Sequence, residues 1–200
     1  MDFTDLRLRE PFRSWYLNGL RFFFKRGPDC RSGHLSRQKE PTNITSPEEK
    51  FPSPWDDLWA CSNPPYLSVW TYWELGQDCG QEADQDRQSL FDNILNALGL
   101  TREEVLFWPL TSSLEGEINI QEDIFWQGVK LSGAGNIICF GERVFQGLFP
   151  NRPLNYSTFV YNDYEVVLVP GPEEMLPDNR EAKKIVWRIL KKTLQNQPSR

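Results

Sequence analysis

Five carboxylates lie in one short acidic stretch, residues 74–87, directly after a predicted strand. They are Glu74, Asp78, Glu82, Asp84 and Asp86. Paired carboxylates at the carboxyl end of a strand can activate a water molecule or bind Mg²⁺, which makes this stretch a candidate site for metal-dependent hydrolysis. The stretch also contains two glycines, and a solvated surface loop is the simpler interpretation of its composition. The sequence leaves both interpretations open.

The other residues that commonly perform chemistry are scattered along the chain. The only histidine, His34, lies in a segment rich in Pro, Ser and charged residues, so a catalytic triad is not predicted. The four cysteines lack the spacing of zinc or iron–sulfur ligands; they are Cys30, Cys61, Cys79 and Cys139. We therefore expect reduced thiols, no metal, no cofactor and a cytoplasmic protein.

Basic residues recur along the last predicted helix, at Lys183, Lys184, Arg188, Lys191 and Lys192. Lys183, Lys184 and Arg188 are candidate phosphate contacts, because Lys and Arg neutralise nucleic-acid backbones. The alternative is that these residues form the solvent-exposed face of an amphipathic helix. The net charge of −6 argues against a general nucleic-acid binder, so we expect any DNA contact to be weak.

Apolar runs and helical periodicity alternate through the second part of the chain. The predicted strands are 66–73, 105–110, 136–140 and 166–169, and the main predicted helices are 89–98, 121–131, the segment after Gly141, and the segment after Asp178. Strands that alternate with helices imply a parallel sheet covered on both faces. We expect a three-layer αβα fold with a central, mainly parallel sheet of about four strands. Residues 154–161 are predicted to be a loop or a short edge strand.

The composition divides the chain into four parts. Residues 1–27 are aromatic and basic, residues 28–53 resemble a flexible linker, residues 54–196 form the predicted domain, and residues 197–200 are a tail. No segment is long and apolar enough to predict a membrane span.

An amphipathic helix over residues 11–25 is predicted within the first part. It can pack on the domain, dock on a protein partner, or lie on a membrane surface. For docking, the candidate anchors are Phe12, Trp15, Tyr16, Leu20 and Phe23, because aromatic side chains dominate the energetics of interfaces.

Three segments in the predicted domain resemble the uracil-DNA glycosylase superfamily, and the likeness spans about residues 60–195. One is the strand-Gly-helix segment 136–148, and another is the helix 89–100, which ends in Ala97-Leu98-Gly99-Leu100. The third is the segment 167–190, whose helix carries Lys184 and Trp187. The resemblance implies a glycosylase-like fold and, in active members, excision of a base from DNA.

This chain departs from the active pattern at the positions that the resemblance assigns to catalysis. Active members have a histidine where this chain has Gly171, directly before Pro172, and that histidine stabilises charge on the departing base. The first site loop retains Glu74, but Trp73 replaces a glycine. The resemblance thus implies a degenerate member with vestigial positions Glu74, Gly171 and Pro172 and no catalytic residues. The alternative is a divergent glycosylase in which Glu74 or Asp78 activates water.

The plan of the chain also resembles a glycosylase-like accessory subunit of bacterial DNA polymerase III that docks on the clamp loader through an N-terminal peptide. This likeness implies a non-catalytic role in DNA replication or repair. It further implies a protein partner, such as a clamp-loader subunit, bound through residues 1–27.

Overall fold

A computed structural model of the chain describes residues 51–79, 83–114, 117–155 and 157–195. The predicted N-terminal helix, most of the predicted linker, Glu82 and the tail lie outside the described residues. The described chain begins at Phe51, which is buried against Trp59 and Trp108 at ring-centroid distances of 5.7 and 5.1 Å. Phe51 is therefore part of the hydrophobic core.

A five-stranded sheet forms the centre of the fold. The strands of the described residues are β1 (Ser68–Tyr72), β2 (Val105–Phe107), β3 (Thr111–Leu114), β4 (Glu117–Ile120), β5 (Asn136–Phe140), β6 (Thr158–Tyr161) and β7 (Tyr164–Val169). The central sheet has the order β2-β1-β5-β7-β6, and β3 and β4 form a separate antiparallel hairpin. β2, β1, β5 and β7 are parallel, whereas β6 is antiparallel to β7. The mainly parallel α/β fold is confirmed, with five strands instead of the four expected.

Helices cover both faces of this sheet. They are α1 (Trp55–Ala60), α2 (Leu75–Asp78), α3 (Gln85–Leu98), α4 (Glu122–Ser132), α5 (Glu142–Leu148), α6 (Pro172–Met175) and α7 (Arg180–Gln195). α3 packs on one face, where the rings of Trp70 and Phe91 lie 6.4 Å apart. α5 packs on the other, where Phe145 and Phe159 lie 5.9 Å apart. The strand register places Trp70 and Phe159 on opposite faces, since consecutive residues of a strand alternate.

The fifth strand, β6, lies within residues 154–161, where a loop or a short edge strand was predicted. A tight hairpin joins it to β7 through Asn162 at φ 46° and Asp163 at φ 69°. Two consecutive residues with positive φ suit the right-handed twist of a two-residue hairpin, and Asn and Asp tolerate this conformation better than most residues. The Asn-Asp pair is thus the local sequence signal that makes residues 158–161 a strand.

The β3–β4 hairpin was not predicted from the sequence. It fixes the segment that follows β1, because the Thr111 hydroxyl donates a hydrogen bond to the Trp73 carbonyl at 2.8 Å. The backbone of Gly76 also lies against the Thr111 carbonyl so closely that a Cβ atom at residue 76 would overlap it. This contact requires glycine at the first turn of α2 and holds the Trp73–Glu74 segment at the end of β1.

Candidate functional site

Three parallel strands, β1, β5 and β7, end side by side at the carboxyl edge of the sheet. β1 leads into Trp73 and Glu74, β5 into Gly141, and β7 into Pro170 and Gly171. The carboxyl ends of the strands are the usual position of ligand sites in open α/β sheets. The candidate site consists of Trp73, Glu74, Gly141, Arg143, Gly171 and Glu173, and is referred to below as the carboxyl-edge site.

The two glycines of this site lie in contact. The Gly141 amide donates a hydrogen bond to the Val169 carbonyl at 2.8 Å, and a Cβ atom on Gly141 would lie 3.3 Å from the Cα atom of Gly171. Gly141 has a φ of 97°, a backbone conformation that favours glycine. The chain can therefore leave β5 and enter α5 beneath the turn that follows β7.

The carboxylate of Glu173 fills the space beside both glycines. A Cβ atom on Gly171 would lie 2.5 Å from Oε2 and 2.6 Å from Oε1 of Glu173, and one on Gly141 would lie 2.8 Å from Oε1. The φ of Gly171 is −79°, which any residue adopts, so its backbone does not demand glycine. The resemblance assigns a catalytic histidine to residue 171. The space that a side chain at residue 171 would enter thus holds the carboxylate of Glu173.

The short helix α6 explains why Glu173 turns back onto the glycines. Pro172 is its first residue. The N–H that proline lacks would form no hydrogen bond within the helix at that position. The Gly171 carbonyl accepts hydrogen bonds from the amides of Glu174 and Met175, each at 3.1 Å, and the Gly171 amide donates to Glu174 Oε1 at 3.0 Å. This capping arrangement fixes the first turn and leaves the Glu173 carboxylate beside the strand ends.

The electrostatic environment of Glu173 disfavours its ionised form. Although much of the side chain is exposed, the partial burial of its carboxylate raises the pKa of Glu173. The charges of Glu74 and Glu174 raise this pKa further, whereas a hydrogen bond from the Glu173 backbone and the guanidinium of Arg143 oppose the shift. Glu173 therefore retains its proton to a higher pH than an exposed glutamate does.

Arg143 supplies the positive charge of the site from the first turn of α5. Its Nη1 lies 3.6 Å from Glu74 Oε1, and its guanidinium carbon lies 4.6 Å from the centroid of the Trp73 ring. Glu74 Oε2 and Trp73 Nε1 are buried and have no hydrogen-bond partner among the described residues. The arrangement can hold a cationic group, whereas its own cation, the Arg143 guanidinium, already lies near Glu74.

The described residues of the acidic stretch after β1 do not form the solvated loop that its composition suggested. Its first part folds into α2, where Asp78 is buried and accepts hydrogen bonds from the Tyr72 hydroxyl and from Nε and Nη2 of Arg87, at 2.6, 2.8 and 2.7 Å. Burial, and then the charge of Asp78, raise the pKa of Tyr72. Asp84 caps α3 by accepting from the amides of Asp86 and Arg87. Asp78 and Asp84 thus hold the fold together instead of joining Glu74 in a site.

The basic residues of α7 lie on the surface of the last helix. Lys183 hydrogen-bonds the Pro177 carbonyl at 3.5 Å and Asp178 Oδ1 at 3.1 Å. Lys184 pairs with Glu181 at 2.7 Å, and Arg188 is exposed. The candidate anchors Phe12, Trp15, Tyr16, Leu20 and Phe23 fall outside the described residues, so the structure does not relate them to either surface.

Two members of the carboxyl-edge site, Arg143 and Glu173, were not predicted. Each stands two residues after a glycine that ends a parallel strand, Gly141 and Gly171 respectively. That shared spacing is the signal that could have identified them, since the carboxyl ends of parallel strands lie together.

Comparison of the chain with models of known protein families and with curated proteins found no match. Within the part of the chain that the structure describes, no helix has both the length and the apolar character needed to cross a membrane.

Proposed function

We propose that this protein is a non-catalytic interaction protein with a degenerate uracil-DNA glycosylase-like domain. In plan it is similar to the psi subunit of bacterial DNA polymerase III, with a cytoplasmic role in DNA replication or repair. The observation that carries the non-catalytic part is the Glu173 carboxylate in the space beside Gly171.

The charges of the carboxyl-edge site oppose release of an anionic base. Base excision places negative charge on the leaving base, and preorganised donors stabilise it in the transition state. This site has one guanidinium, that of Arg143, which already lies near Glu74, and it adds a second carboxylate from Glu173. Loss of one donor costs about 2.7–4 kcal/mol, and the Glu173 carboxylate adds repulsion when it is ionised.

A base-release assay tests the absence of catalysis. The full-length chain is incubated with single-stranded DNA that contains uracil or hypoxanthine, beside Glu74→Gln and Glu173→Gln variants. The proposal expects no release above the uncatalysed rate with any of the three proteins. Release by the wild-type chain that disappears in Glu74→Gln contradicts the proposal.

The partner part of the proposal rests on the aromatic and basic composition of residues 1–27. We expect the full-length chain to bind purified clamp-loader subunits and to lose affinity in the Trp15→Ala and Phe23→Ala variants, because aromatic anchors carry most interface energy. Asn18→Ala, a polar substitution in the same segment, serves as the matched control. Undetectable binding, or equal loss in all three variants, contradicts docking through these anchors.

A divergent glycosylase remains a second candidate, and one observation favours it. Glu74 Oε2 lies at the carboxyl edge without a hydrogen-bond partner among the described residues, as a base that activates water requires. Asp78, the other base considered, is held by Tyr72 and Arg87. A metal-dependent hydrolase lacks support in the described residues, which contain no group of three or more potential metal ligands.

A further inference from the structure

We propose that the outward face of α7 binds single-stranded nucleic acid, with Trp187 as the base-stacking platform and cationic side chains around it as phosphate contacts. The face consists of Lys184, Trp187, Arg188, Lys191 and Lys192, all exposed, and is referred to below as the α7 outer face. Spacings of three and four residues place these side chains on one side of a helix. The face shares no residue with the carboxyl-edge site and does not depend on the proposed protein partner.

The α7 outer face is basic on a protein that is acidic as a whole. The helix carries six Lys or Arg residues and one acid, whereas the net charge of the chain is −6. Lys184 pairs with Glu181 at 2.7 Å, but no described carboxylate forms an ion pair with Arg188, Lys191 or Lys192. Positive charge thus collects in the second half of the helix, and a polyanion complements it.

Trp187 provides the aromatic component of the proposed site. It is 37% exposed, and Nζ of Lys191 lies 5.4 Å from the centroid of its ring. Single-stranded nucleic acids bind proteins through aromatic rings on which bases stack, combined with cations that follow the phosphates. The α7 outer face presents both groups within about two turns of helix, or about 11 Å.

Other anionic partners fit this face less well. A helix that binds a membrane surface inserts its apolar side. The apolar side of α7, including Val186 and Leu190, is buried in the domain and is not free to insert. In a duplex the bases are stacked inside, so no base plane is available to Trp187. A single strand satisfies the ring and the cations together.

Fluorescence anisotropy with a labelled thymidine oligonucleotide tests the site on the full-length chain. With four cations in contact, the slope of log K against log salt is expected to be about −3, or about −0.7 per phosphate contact. Trp187→Ala is expected to weaken binding about 5- to 150-fold without changing that slope, whereas Trp187→Phe retains most of the affinity. Lys191→Ala is expected to make the slope shallower by about 0.7.

Two control substitutions match the proposed contacts in exposure and type. Leu131, like Trp187, is 37% exposed, and Lys130 is an exposed lysine in the last turn of α4. Leu131→Ala and Lys130→Ala are expected to bind as the wild type does. Equal binding by Trp187→Ala and wild type overturns the proposal. So does competition by duplex DNA, heparin or phosphatidylserine vesicles that matches competition by the unlabelled single strand.

Discussion

Arg87 holds the buried carboxylate of Asp78 through two hydrogen bonds, from Nε to Oδ2 at 2.8 Å and from Nη2 to Oδ1 at 2.7 Å. The side chain of Asp78 is 5% exposed, and that of Arg87 is 20% exposed. The pair joins α2, at the end of β1, to the first turn of α3. It therefore supports the segment that carries Trp73 and Glu74.

Substitution of Arg87 is expected to destabilise the domain. Arg87→Ala leaves a buried carboxylate without its main partner, and such a change costs about 3 kcal/mol or more in the free energy of unfolding. Urea unfolding measures the difference. Arg180→Ala is the control, because Arg180 is 82% exposed and pairs with an exposed carboxylate, so we expect less than about 1 kcal/mol. Equal effects of the two substitutions would show that Asp78 does not need its partner.

Gly76 and Gly171 each lie close to another group, but substitution by alanine is expected to cost more stability at Gly76 than at Gly171. At Gly76 the new methyl group meets the Thr111 carbonyl, so backbone must move and the expected cost is about 1–3 kcal/mol. At Gly171 it meets the Glu173 carboxylate, the end of a flexible side chain that can rotate away, so we expect less than about 1 kcal/mol.

A double-mutant cycle between Gly171→Ala and Glu173→Ala checks that this contact is the cause. Because the two residues share it, the cost of Gly171→Ala is expected to disappear when Glu173 is already alanine. Additive effects in thermal or urea unfolding contradict the contact.

The pH dependence of stability is expected to report the environment of Glu173. Its raised folded-state pKa means that the native state binds a proton more tightly than the unfolded chain. The resulting stabilisation is present below the unfolded pKa and is lost as pH rises through the folded pKa. Glu173→Gln cannot ionise, so it should gain stability relative to wild type as pH rises above about 4, the ordinary glutamate pKa.

Glu181→Gln provides a comparison of opposite sign. The hydrogen bond from Lys184, and then its charge, lower the pKa of Glu181. The stabilisation from Glu181 is therefore present above its unfolded pKa and is lost as pH falls. Relative to wild type, this variant should gain stability as pH falls below about pH 4, the ordinary range of glutamate. Parallel pH profiles for the two variants contradict the assigned environments.

The described cysteines are expected to differ in reactivity. Cys61 is exposed, whereas Cys79 and Cys139 are buried, and burial strongly raises the pKa of both buried thiols. Because the thiolate is the reactive form, alkylation of the native protein should modify Cys61 first and Cys139 only after unfolding. Peptide mapping by mass spectrometry after timed alkylation distinguishes the sites. Rapid modification of native Cys139 contradicts its position in β5.

Local pattern was sufficient to predict the parallel part of the sheet. The runs at 137–140 and 166–169 are continuous and apolar because strands covered on both faces need apolar side chains. The β3–β4 hairpin escaped prediction because Thr111 to Leu114 is mostly polar and lacks alternation. α2 was not predicted because the composition of an acidic, glycine-containing segment favours a loop. The contacts of Gly76 and Asp78 make this segment helical and buried.

The amino-acid sequence by itself determined the α/β class, the positions of Glu74 and Gly171 at strand ends, and the absence of a histidine at residue 171. Those features follow from residue type and short-range periodicity, which the linear chain displays. Only the tertiary structure decided that Glu173 fills the space beside Gly171, that Arg143 lies over Trp73 near Glu74, and that Asp78 forms an ion pair with Arg87. These contacts join side chains from separate strands and helices, and their geometry exists only after the strand ends are assembled into one edge.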